Sequence, residues 1–456
     1  MRSCLQDSDC GRLNYCDLDN EICTHNNIFP VQGLDILAYI LIAIFLGLQN
    51  IGGLGAGTIK VFVFMIILNY SMKESTSYTY PILLASKIAD NIVAIWRKHP
   101  IFTEKPLIDY KIAMIFLPSV LCGAKLGASF SNSTPNIVLQ ILLIFFVTKS
   151  FLKTAQKVNE QWKIRKLAQQ KEKEQIQQKN QNEKNQQQNS IQNKNDQVHI
   201  KVMNEPENKN QNEQNDSKTE SNSEQQDKQS TDDQQSEEQN QVSQNLSISQ
   251  KIDKKYNMII KNEVKTFPVD KIVIILSMFI LLMVYYILMG GKKTTSPIGI
   301  NICSDGYWTM WALQFVIYIL FFILIVKLVK YETKVKQLAN HMYVLYDIDM
   351  QKLGVGRFII NGFLCGFING IVGFGGSVLI VPVIVGLGLH PRAATATTSF
   401  ITVFQSGITT STALISGQID GNAFGFLFGI GFVGSFIFTG IFNKIVDHYK
   451  YIQQNE

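Results

Sequence analysis

The chain has 456 residues, 46% of them apolar and 17% charged, and a formal net charge of +6. Its near-neutral mean hydropathy of +0.07 averages long apolar blocks with one very polar block. The basic residues sit at the edges of the apolar blocks rather than on one soluble face, which argues against nucleic acid as a partner and marks them as membrane-orientation signals.

Residues 1–33 read as a polar head carrying Cys4, Cys10, Cys16 and Cys23, four of the seven cysteines. An even cluster in a short polar stretch implies two disulfides, with three connectivities open, and hence an oxidising compartment. The spacing fits no common zinc pattern and no His pair accompanies it, so metal binding is the weaker reading. The head is therefore expected outside. No apolar core of a signal peptide lies between Met1 and Cys10, so either the first helix exports its own N-terminus or a signal precedes this chain.

A membrane helix needs about 20 apolar residues, and a first membrane repeat is expected over 34–153, with spans at 34–51, 57–70, 77–96, 110–130 and 135–153. Five spans carry an outside start to an inside finish. Arg97, Lys98, His99 and Lys105 follow the third, and Lys149, Lys153, Lys157, Lys163, Arg165 and Lys166 follow the fifth, both on the cytoplasmic side of that topology. Residues 154–266 are rich in Gln, Asn, Lys, Glu and Ser, without an aromatic between Trp162 and Tyr256, which predicts a disordered cytoplasmic loop.

Two linking helices are expected in 267–330, joined by an outside loop holding Cys303, and 331–353 returns to the cytoplasm. A second repeat over 354–445 supplies spans at 354–372, 376–389, 391–416 and 421–443, before a cytoplasmic tail at 446–456. The reading is an all-α polytopic membrane protein of about 11 segments, of the plasma membrane or an endomembrane, with its N-terminus outside and its C-terminus inside.

The most informative stretch is Asn369-Gly370-Ile371-Val372-Gly373-Phe374-Gly375-Gly376-Ser377, apolar on both sides for longer than a globular element needs. A helix broken at glycine inside a membrane frees backbone groups, tolerated where neighbouring helices or a water-filled cavity satisfy them. The bland alternative is a tight helix crossing, since small residues also let backbones approach in lipid. The motif occurs twice. A shift of 320 positions superposes Gly53 on Gly373, Gly55 on Gly375, Val61 on Val381 and Gln49 on Asn369. Small and hydroxyl residues follow each copy, Ser75 to Tyr80 in the first and Thr395 to Ser399 in the second. The copies lie seven spans apart, an odd number, so the two glycine-broken helical repeats are expected to be inverted, and paired interruptions of this kind point to a transporter site.

Gly373-Phe374-Gly375-Gly376-Ser377 with Val381-Pro382, then Pro391 and Ala394 to Ser399, resembles the TauE/SafE family of sulfite and sulfonate exporters, also called the toluene-sulfonate uptake permease family. The first copy is degenerate, with Phe62 where the second has Pro382. The resemblance covers about 34–153 and 354–443 and implies a transporter of small organosulfur or other anionic solutes, without enzymatic activity.

The charges make a case of their own. Lys60, Lys87, Asp90 and Lys125 fall within predicted spans, where a charge normally faces the bundle interior or water. Lys60 and Lys125 lie near span ends and are expected to snorkel to the interface. Lys87 and Asp90 sit mid-span at i and i+3, where they pair on one face, either as a structural ion pair or as part of an anion site with Asp90 carrying a proton. The candidate substrate-binding set is Gln49, Gly53, Gly55, Lys87, Asp90, Asn369, Gly373, Gly375, Gly376, Thr395, Thr398 and Ser399. No cofactor or metal site is expected; a gradient, carried by a coupling proton or other ion, would drive transport. The alternative is a receptor or scaffold that retains the fold and moves nothing.

Overall fold

The computed structural model describes residues 14–17, 22–25, 28, 31, 33–52, 57–146, 148, 152, 250–343, 348, 350–373 and 376–455. Cys4, Cys10, Gly53, Gly55 and Gly375 lie outside the described residues, as does nearly all of the expected polar loop.

The head contributes an antiparallel hairpin, β1 (Asn14–Asp17) and β2 (Ile22–His25), whose register sets Cys16 opposite Cys23. Opposed positions in such a pair have Cα atoms about 4.5–5.5 Å apart, within the range a disulfide bridges.

Everything else described is helical or connecting. The first half gives α1 (Gly33–Gly52), α2 (Gly57–Ile66), α3 (Met72–Ala94), α4 (Tyr110–Ser133) and α5 (Asn136–Phe146). Then come α6 (250–264), α7 (Val269–Met289), α8 (Asp305–Leu338) and the single turn α9 (Met350–Leu353). The second half gives α10 (Val355–Val372), α11 (Ser377–Gly386), α12 (Pro391–Ile415) and α13 (Gly421–Asn455).

Local chemistry fixes the ends. Ser71 and Glu74 form a reciprocal capping box at the start of α3, and Asp109 accepts from the amides of Lys111 and Ile112 at the start of α4. His390 caps α12 through Nδ1, with Pro391 as its first residue. α6 lies where the sequence predicted disorder. Ile252, Tyr256, Ile260 and Glu263 recur at helical spacing and are partly buried, and the Tyr256 hydroxyl meets His341 Nδ1 at 2.7 Å. A short amphipathic stripe inside a polar segment is enough to order it once a partner surface exists.

Among the described residues, five helices are long and apolar enough to cross a membrane, within Tyr110–Ser131, Val269–Met289, Asp305–Leu338, Val355–Val372 and Gly421–Phe442. α1, α5 and α11 contain shorter apolar stretches. α3 and α12 are long but carry many hydroxyl and amide side chains, which the surrounding helices bury. The 320-residue shift maps α2 onto α11 end for end, and α1 and α3 onto α10 and α12 within two residues. Partners are exchanged between halves: α4 packs on α10, α13 packs on α1, and α3 packs on α12.

The two ends of the bundle are distinct. At one end the loop after α3 meets the turn before α12, with the His99 and His390 rings 5.7 Å apart. At the other, Lys293 from the α7–α8 loop pairs with Asp420 at 2.6 Å, and the Ser77 hydroxyl donates to Gln418 Oε1 at 3.0 Å.

The closest crossing is a glycine seam between α4 and α10. A Cβ on Gly366 would stand 2.1 Å from the Val120 carbonyl oxygen, one on Gly370 2.2 Å from that of Ala124, and one on Gly127 2.2 Å from that of Phe367. Small residues one turn apart let backbones approach where no hydrophobic force distinguishes helix from lipid. Gly356 on the same helix α10 has nothing within 4 Å of its would-be Cβ. Gly366→Val is expected to cost about 1–3 kcal/mol or more through overpacking, read as earlier thermal unfolding in detergent by size-exclusion chromatography. Gly356→Ala should unfold with the parent; equal behaviour of the two variants would refute the seam.

Candidate functional site

The break between α10 and α11 supplies the first part of the site. Gly373 ends α10 at φ 73° and Gly376 begins α11 at φ 67°, conformations that glycine adopts without strain. The Asn369 side chain spans the interruption: its Oδ1 accepts from the Gly376 amide at 2.8 Å, while its carbonyl accepts from the Gly373 amide at 2.7 Å. An amide one turn before the break thus satisfies a backbone donor that the broken helix would otherwise leave orphaned.

The break lies between the two polar helices. A Cβ on Gly373 would meet Thr76 Cγ2 of α3 at 2.1 Å, and one on Gly376 would meet Gln405 Oε1 of α12 at 2.5 Å. Gln405 is 2% exposed, and neither Nε2 nor Oε1 has a hydrogen-bond partner among the described residues.

A charged cluster forms the second part. Lys87 Nζ lies 3.0 Å from Asp90 Oδ2, and Asp90 Oδ1 accepts from the Ser435 hydroxyl of α13 at 3.0 Å. Asn91 Nδ2 donates to the Lys87 carbonyl at 2.7 Å and to Ser399 Oγ of α12 at 3.3 Å. Lys60, in the second turn of α2, is within electrostatic reach of both Lys87 and Asp90. It is 0% exposed, and its ammonium has no hydrogen-bond partner among the described residues. The expectation that Lys60 snorkels to the interface is thereby corrected: its side chain lies on the buried face of α2, although Ile59 and Ile66 of the same helix are exposed. Lys125 is half-buried on the α4–α7 side, its ammonium 4.5 Å from the centre of the Tyr286 ring, a cation–π contact apart from this cluster.

Of the residues proposed from sequence, Lys87, Asp90 and Ser399 come together, and Asn369, Gly373 and Gly376 form the break. Thr398 joins them on α12 as a fully buried hydroxyl without a described partner. Thr395 sits in the first turn of α12 with its hydroxyl donated to the Pro391 carbonyl at 3.0 Å. Gln49 is buried near the end of α1, 5% exposed. Gly53, Gly55, Phe374 and Gly375 lie outside the described residues. The sequence reading passed over Gln405, Asn91 and Ser435. The available signal was an amide in the middle of a span, Gln405 or Asn91, which carries the same implication as a charge at lower cost.

Residues 264–452 match the family profile described as Sulfite exporter TauE/SafE. Among curated proteins the chain is similar to Sulfite exporter TauE/SafE family protein 1 of Arabidopsis thaliana, 21% identical over 420 residues, covering 91% of this chain and 78% of that protein. It is also similar to family protein 5 of the same plant, 22% identical over 383 residues, 84% of this chain and 70% of that one. Family protein 6 is 28% identical over 153 residues, 34% of this chain and 35% of its own length. No solved structure matches the chain. The profile takes in the linking helices α7 and α8 beside the second repeat, and the relatives extend the likeness through the first half.

The capped break is testable by itself. Asn369→Leu leaves the buried Gly376 amide without its acceptor, at an expected cost of about 1–3 kcal/mol, whereas Asn369→Asp keeps an oxygen in place. Thermal unfolding in detergent should separate the two variants, Leu well below Asp. Equal loss in both would show that the Asn369 oxygen does not hold the break.

Proposed function

Because this chain carries a TauE/SafE domain, we propose that it is a gradient-driven transporter that exports sulfite, sulfonates or related sulfur oxyanions. It is an integral membrane protein, and its family is one of transporters. The observation that carries the substrate class is the Lys60 ammonium, fully buried and without a described hydrogen-bond partner beside the Lys87–Asp90 pair. An isolated ammonium in a low-dielectric interior costs several kcal/mol unless an opposite charge joins it. Lys87 is already neutralised by Asp90, so a protonated Lys60 brings one surplus positive charge, which a small anion offsets.

On this reading Lys60 attracts the anion, Lys87 and Asp90 form a pair that exchanges partners when it arrives, and Asp90 is the group able to take a coupling proton. Gln405, Thr398 and Ser399 of α12 supply neutral donors to oxyanion oxygens. Gln49 and Asn369 hold equivalent places in the two repeats. Two related halves are supported by the match of α2 with α11 and by the equivalent α4–α10 and α1–α13 pairs; their inversion rests on the odd number of expected spans between the copies. Two related halves with a site between them can rock to open alternately to each side. The head-outside, C-terminus-inside orientation rests on the basic clusters beside the expected spans.

Initial rates of radiolabelled sulfite, sulfate and a small sulfonate should be measured in proteoliposomes. Lys60→Gln is expected to lower anion flux on the order of 10- to 100-fold, the worth of a charge-assisted hydrogen bond, while the purified variant elutes as the parent does. Lys87→Gln with Asp90→Asn should also slow flux; parental rates in that double variant would make the pair structural. Unchanged flux in Lys60→Gln would remove the site from the interior charge cluster altogether.

A further inference from the structure

The uncommitted polar groups of the interior do not all ask for the same partner. The Lys60 ammonium is a donor, and a bare oxyanion satisfies it. Two other buried groups offer oxygens that can only accept, and such an anion satisfies neither. The first is Asn91 Oδ1, without a hydrogen-bond partner among the described residues. Its orientation is fixed, because Asn91 Nδ2 donates at 2.7 Å to the Lys87 carbonyl, a group that cannot donate back. The second is Gln405, 2% exposed, with neither end of its amide partnered among the described residues. Whichever way round it sits, that amide has an N–H end that needs an acceptor and an oxygen that needs a donor.

The donors nearest Gln405 are already spent. Its amide stands against Gly376, whose would-be Cβ lies 2.5 Å from Oε1, yet the Gly376 N–H is given to Asn369 Oδ1 at 2.8 Å. Along α12 the Thr402 hydroxyl donates to the Thr398 carbonyl at 2.8 Å, Ser406 to that of Thr402 at 2.6 Å and Thr409 to that of Gln405 at 3.1 Å. A hydroxyl has a single hydrogen, so none of these has one left for a neighbouring amide oxygen. A buried acceptor without a donor bears its full desolvation penalty. A solute with acceptor oxygens alone, sulfate or an alkyl sulfonate, takes hydrogens from Nε2 and leaves Oε1 as it was. A solute that also has an O–H satisfies both ends.

We infer that Gln405 is a specificity-determining residue of the interior site and selects oxyanions that also carry an O–H group, a hydroxyalkyl sulfonate over an alkyl sulfonate or sulfate. The inference rests on the transporter reading above and narrows its substrate class. Lys60 answers to the charge of the solute and Gln405 to its hydroxyl. Asn91 Oδ1, beside the Lys87–Asp90 pair, is a second acceptor open to the same kind of donor. A site built to bond a hydroxyl rejects the analogue that lacks it, because the buried protein group is then left unpaired.

The test compares radiolabelled 2-hydroxyethanesulfonate with propane-1-sulfonate, equal in charge and differing by a hydroxyl in place of a methyl group, in proteoliposomes of the full chain. Initial rates are taken far below saturation, where their ratio reports the preference for one solute over the other. The parent is expected to favour the hydroxysulfonate on the order of 10- to 100-fold, the worth of one orphaned buried acceptor. Gln405→Met, similar in length and without a hydrogen-bonding amide, should bring the ratio close to unity while eluting as the parent does. Equal rates for the two solutes in the parent overturn the inference and leave the transporter reading standing, with water satisfying the buried oxygens. A parental preference that persists in Gln405→Met removes the role from Gln405. Movement of neither sulfonate defeats this inference and the sulfonate reading together.

Discussion

The contact on which the rest depends is the backbone approach of α4 to α10 across Gly123, Gly127, Gly362, Gly366 and Gly370. It joins the first half of the chain to the second, and it ends three residues before the helix breaks at Gly373. With α10 held along its length, Gly373 at its end is fixed in place. Gly373 is set against Thr76 and Gly376 against Gln405, so the interruption opens between α3 and α12 rather than toward lipid. The two readings of the glycine-rich stretch, a tight crossing and a broken helix, are therefore both realised, by neighbouring glycines in one helix.

α3 and α12 are the long helices least suited to lipid, and more than half of each is buried. Most of their hydroxyls are satisfied within their own helix: Thr402 donates to the Thr398 carbonyl at 2.8 Å, Ser406 to that of Thr402 at 2.6 Å and Thr412 to that of Ile408 at 2.9 Å. Such back-bonding removes a hydroxyl from the set a solute can engage. What is left over is small: Thr398, Thr410, the Gln405 amide and the Asn91 oxygen, with the Lys60 ammonium of α2 beside them, all buried without a described partner. A polar interior with few uncommitted groups can be selective, because a solute that satisfies them gains what a mismatched one forfeits.

The lysines at the end of the bundle where His99 meets His390 obey a different rule. There the ammoniums are paired, Lys111 and Lys271 with Glu332 and Lys336 with Glu263, a carboxylate that comes from α6. A segment whose composition gives it no core of its own thus gains a fixed end by lending one carboxylate and a short apolar stripe. Tyr256 against His341 and Glu263 against Lys336 are the contacts that tether it.

The sequence by itself determined the helical class, the positions of most helices, the paired glycine motifs at a spacing of 320 and the Lys87–Asp90 pair, because each is encoded locally. Apolar length, glycine placement and i, i+3 spacing act within one helix and need no partner to be read. Only the tertiary structure decided which charge is stranded, which hydroxyls are spoken for and what meets the break. Lys60 reads as interfacial along its own helix and is fully buried once α3 covers α2, and α6 reads as disordered until the end of α8 gives it a surface. Gln405 looks like one polar residue among many until Gly376 is set against it. Burial, pairing and desolvation are properties of neighbours brought from hundreds of residues away, and no local pattern carries them.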